Sequence, residues 1–255
     1  MKITYRFLIL SLLILSACKV DKQFALNKIT PVILEENGTE IYQYWEFPND
    51  EQLWSPGLND DVIDLKQYRD SIKEILGKER YEKAILRQET ITSSVQNDSY
   101  SENGDRKNFE LIHDGTLGNV RKINVLESEL LNYQAGRYPL FSHPTEFHAF
   151  FLKHDSLDMI RVYFCSSDQP WPPKPKPLRR DIDKRIQEGW RLAFHLHNHF
   201  EDEETDYVGV MAPSIADAHY FQMLYENYKV EKTLITNGFN TVEMGPEDFD
   251  HFAIE

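Results

Sequence analysis

The chain has 255 residues, with 28 Lys+Arg against 42 Asp+Glu and a formal net charge of −14. So acidic a composition argues against a nucleic-acid partner, because phosphate binding needs clustered cations to displace counterions. Hydrophobic residues at 41% provide for one principal core, and the two cysteines, Cys18 and Cys165, exclude a disulfide scaffold and a thiolate zinc finger.

Residues 1–17 open with two cations, Lys2 and Arg6, followed by a mainly apolar run from Phe7 to Ile14 that is too short to span a bilayer. Next comes Leu15-Ser16-Ala17-Cys18, which resembles the lipobox of bacterial lipoproteins. The resemblance implies a signal peptide cut before Cys18, an acylated thiol and a lipid bilayer as partner at the bacterial cell envelope. Each buried methylene of such an anchor contributes about 0.8 kcal/mol. A cleavable secretory signal with an incidental cysteine is the alternative. Residues 18–30 show no period and read as a tether.

Residues 31–108 read as an N-terminal α+β extension. It holds a strand-like aromatic piece, Ile41 to Phe47, and a helical pattern through Val62, Ile63, Leu65, Ile72, Ile75 and Leu76 that Gly77 stops. The polar stretch from Thr92 to Asn108 reads as an exposed linker. Residues 109–255 alternate between strands and helices. Phe147 to Leu152, Leu157 to Cys165 and Trp190 to His197 read as strands, and Cys165 as a packed strand residue. Asp181 to Glu188 and Ser214 to Tyr228 read as helices, and Thr233 to Met244 as a hairpin around Asn237-Gly238. The five prolines between Ser166 and Pro177 impose irregular or polyproline-like chain. Together these predict an α/β fold, a mixed sheet flanked by helices.

The chemistry concentrates at His195-Leu196-His197-Asn198-His199. Alternate strand residues share a face, so these imidazoles project to one side and two of them can share a metal ion. Core histidines satisfied by carbonyls would fit the same pattern. Pro213-Ser214-Ile215-Ala216-Asp217 likewise has a complete account as a helix start, with Ser214 as N-cap and Asp217 in the first turn.

Taken together, His-x-His followed by Ser-x-x-Asp, with Glu146 just ahead of the strand Phe147 to Leu152, resembles the JAMM (MPN/JAB) metalloprotease signature. Gly189-Trp190 before the histidine strand looks like the family as well. The resemblance covers 146–244 and implies a layered JAMM/cytidine-deaminase-like domain cleaving a peptide or isopeptide bond. It implies zinc held by His197, His199 and Asp217, Glu146 as the proton-accepting base and Ser214 as a hydrogen-bond donor to the tetrahedral oxyanion. His195 becomes a neighbour available to bind substrate or orient the site. Residues 200–213, with the acidic run Glu201 to Glu204, read as an insertion over the site or, alternatively, as a solvated charge run.

Other His-x-His architectures fit less well. Too few residues follow His199 for a (β/α)₈ barrel of about 250 residues, a cupin would need strands where Ser214 to Tyr228 reads as a helix, and an HNH nuclease would need a basic surface. The alternative function is a catalytically inactive, lipid-anchored binding or scaffold protein, recognising its partner through Tyr42, Tyr44, Trp45, Phe47 and Trp54.

Overall fold

The computed structural model describes residues 24–56, 63–87, 102–140, 142–200 and 210–254. The expected signal peptide, Cys18, the first part of the tether, residues 92–101 of the linker and the acidic run after Phe200 lie outside these residues.

The described chain is an α/β fold with a mixed eight-stranded sheet. Its strands are β1 (Val32–Asn37), β2 (Glu40–Pro48), β3 (Asn119–Lys122), β4 (Phe147–His154), β5 (Met159–Ser166), β6 (Arg191–Asn198), β7 (Lys232–Thr236) and β8 (Asn240–Met244). The order across the sheet is β1-β2-β5-β4-β6-β7-β8-β3. Every pairing is antiparallel except β6 with β7. That parallel pair requires a crossover, which runs through a helix. Residues 31–108, expected as an extension, supply β1 and β2 to the same sheet, with β2 paired to β5 from Ile41↔Ser166 to Pro48↔Met159.

The helices are α1 (Ile63–Leu76), α2 (Lys78–Arg87), α3 (Glu102–His113), α4 (Val125–Arg137), α5 (Lys176–Gln187), α6 (Ile215–Tyr228) and a short α7 (Pro246–Phe249). The strands sort side chains to two cores by their period of two. Phe147, Ala149 and Phe151 of β4 join Val162 and Phe164 of β5 in one core, closed by Ile72 of α1 and Leu126, Leu130 and Leu131 of α4. Phe150, Leu152, Tyr163 and Cys165 face the other way, under Leu178 and Ile182 of α5 and Phe221 and Leu224 of α6. Cys165 is the packed strand residue expected, and burial pushes its thiol pKa up, so it stays inert. None of the described helices is long and apolar enough to cross a membrane.

Three expectations are corrected. The end of the tether is not free chain: Leu26 is buried, and its N–H donates to Glu129 Oε2 at 2.8 Å. The end of the polar linker is the first half of helix α3, which docks through Gly104 and Asn108 before Phe109, Leu111 and Ile112 reach the core. Asn108 Nδ2 donates to Ala253 O at 3.0 Å and Asn108 Oδ1 accepts from Ala253 N at 2.6 Å, while a Cβ on Gly104 would meet Ile215 Cδ1 at 2.6 Å. Up to Asn108 the helix docks through a glycine and an asparagine, so that part has no apolar period to detect. Finally, Tyr42, Trp45 and Phe47 are buried core residues, not a recognition surface.

Most other elements match in place. Helix α5 starts earlier than expected, at Lys176, because Pro177 falls in its first turn, where a missing N–H costs nothing. The turn Asn237-Gly238 joins β7 to β8, with Gly238 at φ +83°. Asn237 Oδ1 accepts from the N–H groups of Phe239 and Asn240.

Candidate metal centre

Strand β6 carries the histidines to the end of the parallel pair, and α6 starts beside them. Ligand sites in open α/β sheets gather at such carboxyl ends of strands. The register of β6 on β4 shifts between Phe151 and Leu152. That shift places Leu192 on the same face as His195 and His197, toward α6. The backbone stays tied past the strand end, since His199 N donates to Thr236 O at 2.9 Å.

Helix α6 opens with a complete capping box. Ser214 Oγ accepts from Asp217 N at 3.1 Å, and Asp217 Oδ2 accepts from Ser214 N at 3.0 Å and from Ser214 Oγ at 2.7 Å. Asp105 of α3 adds a second anion there, accepting from Ile215 N at 2.6 Å. The cap fixes the Asp217 rotamer so that its carboxylate also faces the histidines. Oδ1 lies 3.4 Å from His197 Nε2, and Oδ2 lies 3.6 Å from His199 Nε2. His197 Nε2 and His199 Nε2 are 2.9 Å apart. The two accounts of Ser-x-x-Asp, cap and ligand, are therefore compatible in one side chain.

His197, His199 and Asp217 are the one set of three or more metal-ligating residues found among the described residues, with ligand atoms within 4.8 Å of one another. Donor atoms about 2.0–2.2 Å from a tetrahedral ion lie roughly 3.3–3.6 Å apart, which the two carboxylate–histidine spacings match, while the two imidazole nitrogens at 2.9 Å stand closer. His199 Nδ1 lies 2.5 Å from Val210 O. Donating there fixes the tautomer and leaves the Nε2 lone pair for a cation, the usual outer-shell arrangement of a ligating histidine. Side-chain exposure rises from 2% at His197 through 14% at His199 to 23% at Asp217, so the cluster opens to solvent on the aspartate side.

Electrostatics in the metal-free protein follow from burial and from the one carboxylate in the cluster. Burial lowers the His197 pKa, although Asp217 opposes it. Burial would also lower His199, but its contacts with Asp217, the Glu146 charge and the Val210 carbonyl outweigh that and push it up to about 9. Asp217, which burial would raise, is held well below the carboxylate range by the two histidines. The site thus favours positive charge beside a fixed carboxylate.

Glu146 is partly exposed and close enough to act on His199. Its position is set by Asn198, the residue between the two histidines. Asn198 Oδ1 accepts from Phe147 N at 2.9 Å, and its Nδ2 donates to Thr145 O at 2.9 Å. The two bonds bracket Glu146 and extend the β4–β6 pairing one step beyond His148↔His197. Thr145 Oγ1 is held in turn by Gln134 Nε2 of α4 at 2.7 Å.

His195 is fully buried, out of reach of a substrate. Its Nε2 lies 2.9 Å from His148 Nδ1, and its Nδ1 has no partner. Burial lowers both pKa values, His148 to about 3, so both rings are neutral. Phe221 of α6 packs on His195 and His197, with centroids at 5.9 and 5.8 Å. His148 and Asn198 are not among the residues that the sequence singles out. A signal for His148 existed, because it stands two residues after Glu146 and so shares its face; Asn198 faces elsewhere and gave none.

Comparison of the chain with family models, curated proteins and solved structures finds no match.

Proposed function

We propose that this protein is a zinc-dependent hydrolase of the JAMM type, cleaving a peptide or isopeptide bond. The observation that carries the reading is the convergence of His197, His199 and Asp217 from a strand end and a helix start. The JAMM/cytidine-deaminase-like layering belongs to the same proposal, supported by the order in which Glu146, the histidines, Ser214 and Asp217 follow along β4, β6 and α6.

When bound, the metal supplies Lewis acidity and makes water a nucleophile near neutral pH. His197, His199 and Asp217 would hold it, and Val210 O keeps His199 in the ligating tautomer. Glu146 takes the proton of the attacking water as the new C–O bond forms, then hands it to the departing amine as the C–N bond breaks. Asn198 keeps Glu146 in place during both transfers. Ser214 orients Asp217 in the resting protein, and its donation to an oxyanion requires its hydroxyl proton to leave Asp217 Oδ2.

The anchoring at the cell envelope through acylated Cys18 is part of the proposal and rests on Leu15-Ser16-Ala17-Cys18. The test is metal content by mass spectrometry, beside the His197→Ala/His199→Ala variant. Near one zinc per chain, lost in the variant, is expected. Folded protein that binds no zinc would overturn the proposal in favour of a binding or scaffold protein. Glu146→Gln should then keep zinc and lose hydrolysis across a peptide-substrate panel; retained hydrolysis would refute the base.

A further inference from the structure

A cavity of about 260 Å³ lies between α5, α6 and the sheet, away from the metal ligands. Its walls are apolar and buried: Phe150 of β4, Leu192 of β6, Ile182 of α5 and Leu224 of α6. Its remaining lining includes Lys174, Lys176 and Arg179, all exposed, so an apolar interior meets a cationic mouth. On a chain of net charge −14, three cations gathered at one opening stand against the general trend. Two of the three are not neutralised locally. Lys174 and Lys176 have no ion pair among the described residues, whereas Arg179, its side chain 69% exposed, is shared with Asp183 at 3.9 Å and with the Tyr228 hydroxyl. The start of α5 adds to the field, because Pro175 provides no side-chain cap and the first turn holds no acidic residue.

The cavity is separated from the metal centre by a layer of rings. Tyr220 lines it and packs on His148 and His195, at centroid distances of 5.4 and 5.2 Å, and Phe150 packs on His195 at 5.0 Å. Its lining contains none of Glu146, His197, His199 or Asp217.

We propose that this cavity is a binding site for a small amphipathic anion, an apolar chain or ring seated between α5 and α6 with its carboxylate at Lys174, Lys176 and Arg179. Apolar burial supplies the affinity and the cations supply orientation and charge selectivity. This site does not depend on the hydrolase reading, since neither the metal nor Glu146 takes part.

The test is titration of the full chain, labelled with ¹³C-methyl methionine, with decanoate. Met223 lines the cavity and Met244 is buried on β8, away from it, so one resonance reports the site and the other controls for general effects. Met223→Leu assigns the reporter. The expected result is a saturable shift of Met223 with Met244 unmoved, and weaker binding of decyltrimethylammonium than of decanoate. The Lys174→Ala/Lys176→Ala/Arg179→Ala variant should weaken decanoate by at least about tenfold, the scale of lost hydrogen bonds to charged groups, and leave decanol within about twofold. A native methyl spectrum of the variant shows that it is folded, and Lys176→Gln, at one exposed position, repeats the comparison should the triple change disturb the fold. The proposal is overturned by an unmoved Met223 methyl, by equal affinity for anionic and cationic chains, or by cation-deleted variants that bind decanoate like the wild type.

Discussion

Asp217 is asked to do two things, and two substitutions separate them. Ser214→Ala removes the oxygen that accepts from Asp217 N and the hydroxyl that donates to Asp217 Oδ2. The loss of such a cap costs about 1 kcal/mol, which in a chain of this size lowers Tm by roughly 2–4 °C. Asp217→Asn keeps an oxygen to accept from Ser214 N, a contact of 3.0 Å in the wild type, so the helix start survives. It removes the charge of the proposed anionic ligand, whose oxygens lie 3.4 Å from His197 Nε2 and 3.6 Å from His199 Nε2. Outer-shell losses weaken metal sites by about 10–100-fold, so loss of a direct ligand should weaken zinc by more than ~100-fold, or over ~2.7 kcal/mol. Ser214→Ala, which only supports the carboxylate, should stay within the outer-shell range. Thermal melts of the metal-free proteins give the first quantity and competition with a chromophoric chelator gives the second. Wild-type zinc affinity in Asp217→Asn would refute the ligand assignment and leave Asp217 as a helix cap alone.

Three further outcomes follow from the same contacts. Asn198→Ala should cost about 2–6 kcal/mol, because two buried groups, Phe147 N–H and Thr145 C=O, each lose a partner worth about 1–3 kcal/mol; urea denaturation measures it, and a loss below about 1 kcal/mol would show that the clamp is replaced by water. His148→Ala should lower Tm and leave zinc stoichiometry unchanged, since it strips the partner of buried His195 Nε2 without touching a ligand; loss of the metal would move His148 into the binding set. Burial alone would raise the Glu243 carboxyl, but Arg121 at 2.8 Å and Lys232 at 3.1 Å hold it below its ordinary value. Its stabilisation is therefore complete above the unfolded carboxyl pKa of about 4.3 and disappears as pH falls through the lower folded value. Glu243→Gln should flatten that part of the urea-midpoint profile, and an unchanged acid slope would refute the linkage.

Residues that advertise themselves locally were legible. Ser214 as a cap, Asn237-Gly238 as a turn and the near-continuous apolar runs of β4 and β5 depend on neighbours a few positions away, and each stands where expected. The end of the tether and helix α3 were not legible, because what orders them is distant: Glu129 for Leu26, and Ile215 and Ala253 for α3. The candidate ligands followed from the resemblance of His-x-His and Ser-x-x-Asp, in that order, to a known signature, whereas the clamp on Glu146 needed the pairing of β4 with β6. No pattern within either strand states that pairing, so Asn198 stayed hidden between two conspicuous histidines.

The sheet's connectivity also sets how the chain must fold. Its far edge is closed by β3, from Asn119–Lys122, zipped onto β8, from Asn240–Met244, while β2 must wait for β5, over a hundred residues downstream. Pairings so remote in sequence close large loops before any contact stabilises them, which slows folding. Synthesis from the amino end therefore produces β1 and β2 long before their neighbour and β3 long before its own. The parallel strand β7 that borders His197 and His199 is among the last segments made. A stalled or truncated chain ending before residue 232 would hold both histidines and Asp217 yet lack the strand that pins them, and such fragments should be proteolysed rather than accumulate as partly working domains.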